Sequence, residues 1–405
     1  MMRAPDFVRG LAVAVLVLAS SCATKTYEYQ EVGAVDFRSR AQTQTTSQFK
    51  VTVAVPGAEE SEAILGLPVY DRKIQPIWVE VHNKTNERVR YAPVGTDRYY
   101  FAPLEVAYMH LKRYKKEYRL EIEERMYDLS MERQIPAGET RSGFVFTNLD
   151  PGTKGFNIDL FGAGGGDHSF TFFVDVPGYT PDHSEVDFDG IYPAGRVATL
   201  DMAGLRTALR DLDCCTTDST GGGEGMPINV VFVGEGEDVL HSLLRGGWYE
   251  TVPPQGDTTL GKAQFLEGRP ADATFRLQRA RTGDRNELHV WLAPLRLGDT
   301  PVWYGQVTHY IGHSTELGRA LFDPRLDPDM DDGRNYFLQN MWYSQGLAKS
   351  GWVEGAERVP VESARTAFSG TSFFTDGYLS VLWLSSEPVS LLETESVGWA
   401  DPFTD

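Results

Sequence analysis

Apolar residues alternate from Val51 onward: Val51, Val53 and Val55, then Ile77, Val79 and Val81 around Trp78, then the run Phe144–Phe146, then Phe170–Val174. Alternation turns one face of each segment inward, and the Pro, Gly, Asn and Asp clusters between segments supply turns. The pattern therefore predicts short strands packed as an all-β, immunoglobulin-like sandwich over residues 49–178, with His82–Glu87 (HNKTNE) as a hairpin loop and Ile135–Thr140 (IPAGET) as a strand lead-in. One stretch departs from it. Leu111, Tyr114, Tyr118, Ile122, Met126 and Leu129 recur at spacings of three and four, which predicts an amphipathic helix laid across the sheet. The charges of Lys112–Arg133 then form its solvated face. Phe161–Asp167 (FGAGGGD) precedes a strand-like run rather than a helix, so it reads as a hairpin turn and not as a phosphate loop.

Pro181, Gly190 and Pro193, with acidic residues and no period, give 179–196 the composition of a linker. Beyond it the pattern mixes helix and strand. Asp201 stands at a capping position before Leu205, Ala208, Leu209 and Leu212, which share a helical face. Ile228–Val233 (INVVFV) has the continuous apolar character of a strand buried on both faces. Two apolar strands, Leu288–Leu297 and Val302–Ile311, flank the turn signal Gly298-Asp299-Thr300-Pro301. An apolar stripe predicts a helix over Tyr336–Ser350, closed by Gly351, and Tyr378–Leu384 (YLSVLWL) reads as another buried strand. The expectation is an α+β mixed-sheet domain over 197–395, followed by a tail at 396–405.

Composition restricts the functions this fold can serve. Against 38 Lys and Arg stand 57 Asp and Glu, a net charge of −19 that repels phosphate backbones, so nucleic acid is not an expected partner. Arg3 and Arg9 precede the apolar run Gly10–Ala19 and the sequence Ser20-Ser21-Cys22, the layout of an export leader. Small residues before a Cys predict a lipoprotein: a signal peptide at 1–21, lipidation of Cys22, and a tether at 22–48 rich in Thr, Gln and Ser. Ala23 after that Cys implies the outer membrane, with the body facing the periplasm.

Five separated blocks resemble the LssY C-terminal-like domain family. They are Cys214 with Pro227–Gly234 and Leu243–Trp248; Arg285–Trp291; Pro301–Val307; Asp327–Asp331 with Arg334 and Tyr336; and Phe374–Gly377. The resemblance spans about 197–388 and says nothing of the N-terminal sandwich. It implies little chemistry, since relatives carry the domain beside membrane-embedded phosphatase-like or transporter-like segments and no reaction is assigned to the family.

Several constellations in these blocks carry candidate chemistry. Asp327, Asp329 and Asp331 match the first ligands of a calcium loop, but Asp332 and Leu338 stand where Gly and Glu are needed. They serve either as caps paired with Arg325 or Arg334, or as holders of a divalent ion or polar ligand, or as part of a catalytic cluster with Arg334, Arg285 and Asp376. His309 and His313, four apart, are either metal ligands or hairpin histidines; Tyr310 occupies the position a zinc protease needs for Glu. Gly234-Glu235-Gly236 has acidic residues where pyrophosphate would lie, so it reads as a capped connection. Cys214 and Cys215 either close a ring with each other, pair with another chain, or remain small buried thiols. No hydrolase elbow and no spaced Cys pair occurs. The expected function is accordingly a lipid-anchored envelope module that binds or scaffolds a protein or glycan partner without a cofactor. The alternative is an envelope hydrolase or transferase built on the Asp and Arg cluster.

Overall fold

The computed structural model describes residues 25–162, 166–193, 195–251, 264–278, 284–312, 324–355 and 357–400, so Cys22 and His313 lie outside the described residues. The chain divides into two compact units, one holding residues up to Leu149 together with Asn157–Phe172, the other Asp150–Phe156 together with the chain from Phe173. Both are β-rich. Among the described residues no helix is long and apolar enough to cross a membrane.

In the first unit, strands β1 (Gln42–Thr45), β2 (Phe49–Ala54), β3 (Ile74–Asn83) and β6 (Thr140–Asn148) form an antiparallel sheet in the order β1-β2-β3-β6. A second sheet, in the order β5-β4-β7-β8, contains β4 (Val89–Ala92), β5 (Gln134–Ile135), β7 (Thr153–Gly162) and β8 (Asp167–Asp175), of which residues 153–156 and 173–175 belong to the second unit. Pairing Val51 with Val81 and Val53 with Val79 sets the register that the alternation encodes. Trp78, Phe144 and Phe146 then face helices α1 (Ala58–Leu65), α2 (Pro103–His110) and α3 (Arg119–Asp128) in one apolar cluster. On the first sheet Phe49 meets Phe170 of the second edge to face, 6.2 Å between centroids.

Two expectations for this region need correction. Residues 25–48 are not a tether: Tyr27 and Phe37 are buried in the same cluster, Phe37 against Trp78 and Phe144, and β1 pairs with β2. Their aromatic side chains gain burial that the polar composition around them conceals. The helix expected through 111–129 is broken, since Tyr114 is extended and forms a parallel bridge with Lys25. The apolar stripe was nevertheless legible, with Leu111, Tyr114, Ile122 and Met126 all buried.

The second unit is organised on a large mixed sheet. Its strands are β9 (Ala198–Leu200), β12 (Val230–Val233), β13 (Tyr249–Glu250), β16 (Ala273–Gln278), β17 (Arg285–Leu297), β18 (Thr300–Ile311), β19 (Arg325–Leu326), β20 (Leu347–Glu354), β23 (Tyr378–Leu384) and β24 (Glu395–Val397). The main path runs β13-β16-β17-β18-β12-β23-β20-β24, with β9 beside β17 and β19 beside β18. β12 lies between β18, antiparallel, and β23, parallel, and all four of its residues are buried as the apolar run predicts. β17 and β18 form the expected hairpin, with Gly298 at φ +58° in its turn. One face of the sheet packs against α5 (Gly236–Arg245) and α6 (Met330–Tyr343). The other packs against α4 (Met202–Arg210), and a small sheet of β10 (Cys215–Thr217), β11 (Glu224–Pro227), β14 (Phe265–Leu266) and β15 (Arg269–Pro270) lies beside it, while β21 (Arg365–Thr366) and β22 (Ser372–Phe373) pair as a separate two-stranded sheet. Asp201 caps α4 by accepting from the Gly204 amide at 2.8 Å.

Here too the chain departs from three expectations. The stretch 179–196 is packed rather than a linker: Phe188 lies against Trp303, and the Tyr192 hydroxyl donates to the Leu292 carbonyl at 2.6 Å. The helix expected over 336–350 starts earlier, where Asp329 caps it, and ends before Gln345, which is left-handed at φ +60°. Leu347 belongs to β20. The tail is partly sheet, since β24 pairs parallel with β20 and Trp399 packs on Trp383.

Candidate functional site

The Asp and Arg residues of the later blocks are brought together at the start of α6, but as a clamp. Asp329 caps the helix by accepting from the Asp331 amide at 3.0 Å. Arg334, 1 % exposed, donates to both oxygens of Asp376 and to the Tyr378 carbonyl, and its guanidinium lies 5.0 Å from the Trp352 ring centroid. Asp331 accepts from the Thr375 hydroxyl and the Asp376 amide, each at 2.7 Å. Burial pushes the Asp331 carboxyl above its ordinary range, with Arg334 pulling the other way. These bonds tie α6 to the segment entering β23. Arg285 is elsewhere: it pairs with Tyr310 across the hairpin and donates to Glu287 at 2.8 Å. Strand alternation puts it on the face opposite Leu288 and Val307, which pack toward α6. Five of the six expected residues thus gather at the start of α6, engaged in caps and ion pairs, and Arg285 alone stands apart from them.

His313, the expected companion of His309, lies outside the described residues, and His309 itself stands on β18. Its Nδ1 lies 3.2 Å from Asp327, and one donor atom from each of His309, Asp327 and Asp332 falls within 4.8 Å of the others. Asp327 also accepts from the Asp329 amide at 3.1 Å, which is a local capping role. Cys214 and Cys215 are bonded to each other on entry to β10. That selects the first of the three alternatives open from sequence.

A different place in the second unit has the form of a ligand site. β16, β17 and β18 present Phe275, Val290, Leu292 and Trp303 to the side of α5, and the packed segment around Phe188 and Tyr192 covers them. Between them lies a cavity of about 510 Å³, within the range of small-molecule sites. The Trp303 indole is held by donating to the Gly234 carbonyl at 3.0 Å. His183 lines the cavity and bonds through Nε2 to Glu250, which is fully buried and also accepts from the Thr153 amide. Burial works to lower the His183 imidazole, but the hydrogen bond to Glu250 and the charges of Glu250, Asp182 and Asp175 outweigh it and raise it. Burial pushes the neighbouring Asp182 carboxyl up to about 6. The result is a mainly apolar chamber with one oriented imidazole in its wall.

Sequence reasoning missed this site because His183 and Phe188 fall in a stretch with linker composition. The available signal was Glu250 in the apolar run Trp248-Tyr249-Glu250-Thr251-Val252, since an acid placed there requires a buried partner.

A search of curated proteins finds no match to the chain. The family model described as LssY C-terminus matches residues 262–379. Of the five blocks, the four from Arg285 to Gly377 lie inside that span and the Cys214–Trp248 block lies before it. Over residues 262–379 the chain is therefore similar to the LssY C-terminus family, as the later sequence blocks suggest.

Proposed function

We propose that this chain is a lipid-anchored protein of the cell envelope, held at the outer membrane through Cys22 and facing the periplasm, whose second unit binds a small apolar ligand. The observation that carries the binding role is the cavity of about 510 Å³ walled by Phe188, Phe275, Leu292 and Trp303. Such a volume with apolar walls and few polar groups is what a binding site requires. The Asp and Arg cluster gives the hydrolase or transferase reading no support, because its groups are paired internally or lie on opposite faces of the sheet. The anchor reading rests on the leader and on the small residues before Cys22. The two four-stranded sheets of the first unit support reading it as an immunoglobulin-like sandwich, a common platform for protein or glycan partners.

The binding role is tested with N-phenyl-1-naphthylamine, an uncharged dye that brightens in apolar surroundings, added to the protein purified without its leader. Saturable brightening is expected, and Leu240→Trp, which narrows the cavity from α5, should abolish it while leaving the fold intact by circular dichroism. Absence of brightening in the unsubstituted protein overturns the role. The anchor is tested by mass spectrometry of Cys22 from membrane fractions: acyl adducts are expected, and a bare cysteine in the soluble fraction refutes it.

A further inference from the structure

The charges and rings around the cavity narrow the class of ligand. Asp189, Glu235 and Glu237 line it and are exposed, so they stand on its solvent side as three carboxylates. Among the described residues the cation that lines it, apart from His183, is Arg296, which donates to the carbonyl of Asp299 in the hairpin turn and offsets one of the three carboxylates. His183 faces Glu250, so that pair contributes little net charge. Against the −19 of the whole chain, the surroundings disfavour an anionic head group and favour a cationic one.

The walls point the same way. Phe188 and Trp303 meet edge to face with centroids 5.6 Å apart, and Phe275 is a third aromatic ring in the lining. Aromatic faces attract ammonium groups through the ring quadrupole, most strongly where water is excluded, as in the aromatic cages that hold quaternary ammonium ligands. Tyr192 is already taken by a guanidinium, Arg269 at 5.3 Å from its centroid, so the rings left for an ammonium are Phe188, Phe275 and Trp303. A fatty acid of equal length gains the same apolar burial but brings a carboxylate to a carboxylate rim.

From these contacts we infer that the cavity takes a cationic amphiphile, an apolar chain or ring system bearing one ammonium group, with the chain against Val290 and Leu292 and the ammonium held among the aromatic rings and the carboxylates of Asp189, Glu235 and Glu237. The inference rests on the cavity being a ligand site. It adds the charge of the head group to that reading.

The test uses three twelve-carbon probes below their micelle thresholds: dodecylammonium, dodecanol and dodecanoate. Trp303 supplies the readout through tryptophan emission, with Trp303→Phe identifying its share. Dodecylammonium should bind roughly tenfold more tightly than dodecanol, the order that a desolvated cation and ring contact gives, and dodecanoate should bind least. Asp189→Asn with Glu237→Gln should remove most of the advantage of the amine and leave dodecanol unchanged. Glu362→Gln with Glu393→Gln, exposed acids that do not line the cavity, makes the same change in net charge and should leave the advantage in place. Equal binding of amine and alcohol, a preference for dodecanoate, or equal loss in both double variants overturns the inference while the cavity remains a binding site. If no probe and no uncharged dye binds, the binding role itself has failed.

Discussion

Arg334 donates to the two oxygens of Asp376 at 2.7 and 2.8 Å from a position that is 1 % exposed. Removing the guanidinium strands the acceptors it satisfies. Breaking one side of a buried pair costs about 3–5 kcal/mol, and the partial exposure of Asp376 places Arg334→Ala near the lower end. Urea denaturation should show this loss. Arg334→Lys should recover only part of it, because an ammonium cannot reach both oxygens and lie on Trp352 as the planar fork does.

Asp182 and His183 make the second unit's stability depend on pH in one direction. Burial raises Asp182 from 3.8 to about 6, so the folded state holds a proton that the unfolded chain releases, and stability falls as pH rises through that window. His183 is raised above 6.5, so its contribution is present below 6.5 and is lost as pH rises past its folded value. Denaturation midpoints should therefore decline from pH 4 to pH 7. Asp182→Asn should flatten the acidic part of that decline, a change on the order of 2 kcal/mol across the window. A midpoint that rises over the same range refutes the assignment.

Phe37 should prove indispensable to the first unit. It is fully buried against Trp78 and Phe144, and truncating such a ring to Ala leaves a cavity costing about 3–5 kcal/mol. Phe37→Ala should lower the thermal midpoint of that unit, whereas Thr43→Ala on the exposed strand β1 should leave it within about 0.5 kcal/mol of its starting value.

Gly305 on β18 has no room for a side chain. A Cβ there meets Val230 Cγ2 at 2.5 Å and Phe232 at 3.1 Å, both on the neighbouring central strand. Gly305→Ala should cost about 1–3 kcal/mol through overpacking, and Gly305→Val more. Calorimetry of the two variants beside Gly298→Ala, which strains a turn but touches nothing, separates crowding from backbone conformation.

Strands were the most legible part of the chain, because alternation and β-branched runs act locally. β2, β3, β12 and the hairpin of β17 and β18 fall where their residues place them. Elements decided by distant contacts were not legible. Tyr114 is pulled out of its helix by a bridge to Lys25, and Leu347 joins a sheet although it continues a helical stripe. The same limit governed the site. Asp329 and Asp331 were readable as caps from their place before a helix, and the pairing of Arg334 with Asp376 was not, since 42 positions separate them. The cavity depends on a stretch that is polar and aperiodic in sequence and acquires its role only by covering Val290 and Leu292.

The innermost strand of the second unit waits longest for its neighbours. Val230 pairs with Gly305 on one flank and with Ser380 on the other, the latter 150 positions further along the chain. A nascent or truncated chain ending before Tyr378 exposes a greasy, half-paired ribbon, the kind of edge on which polypeptides stick to one another. Folding of this unit is therefore safest once Tyr378–Leu384 has been made and β12 gains its second neighbour.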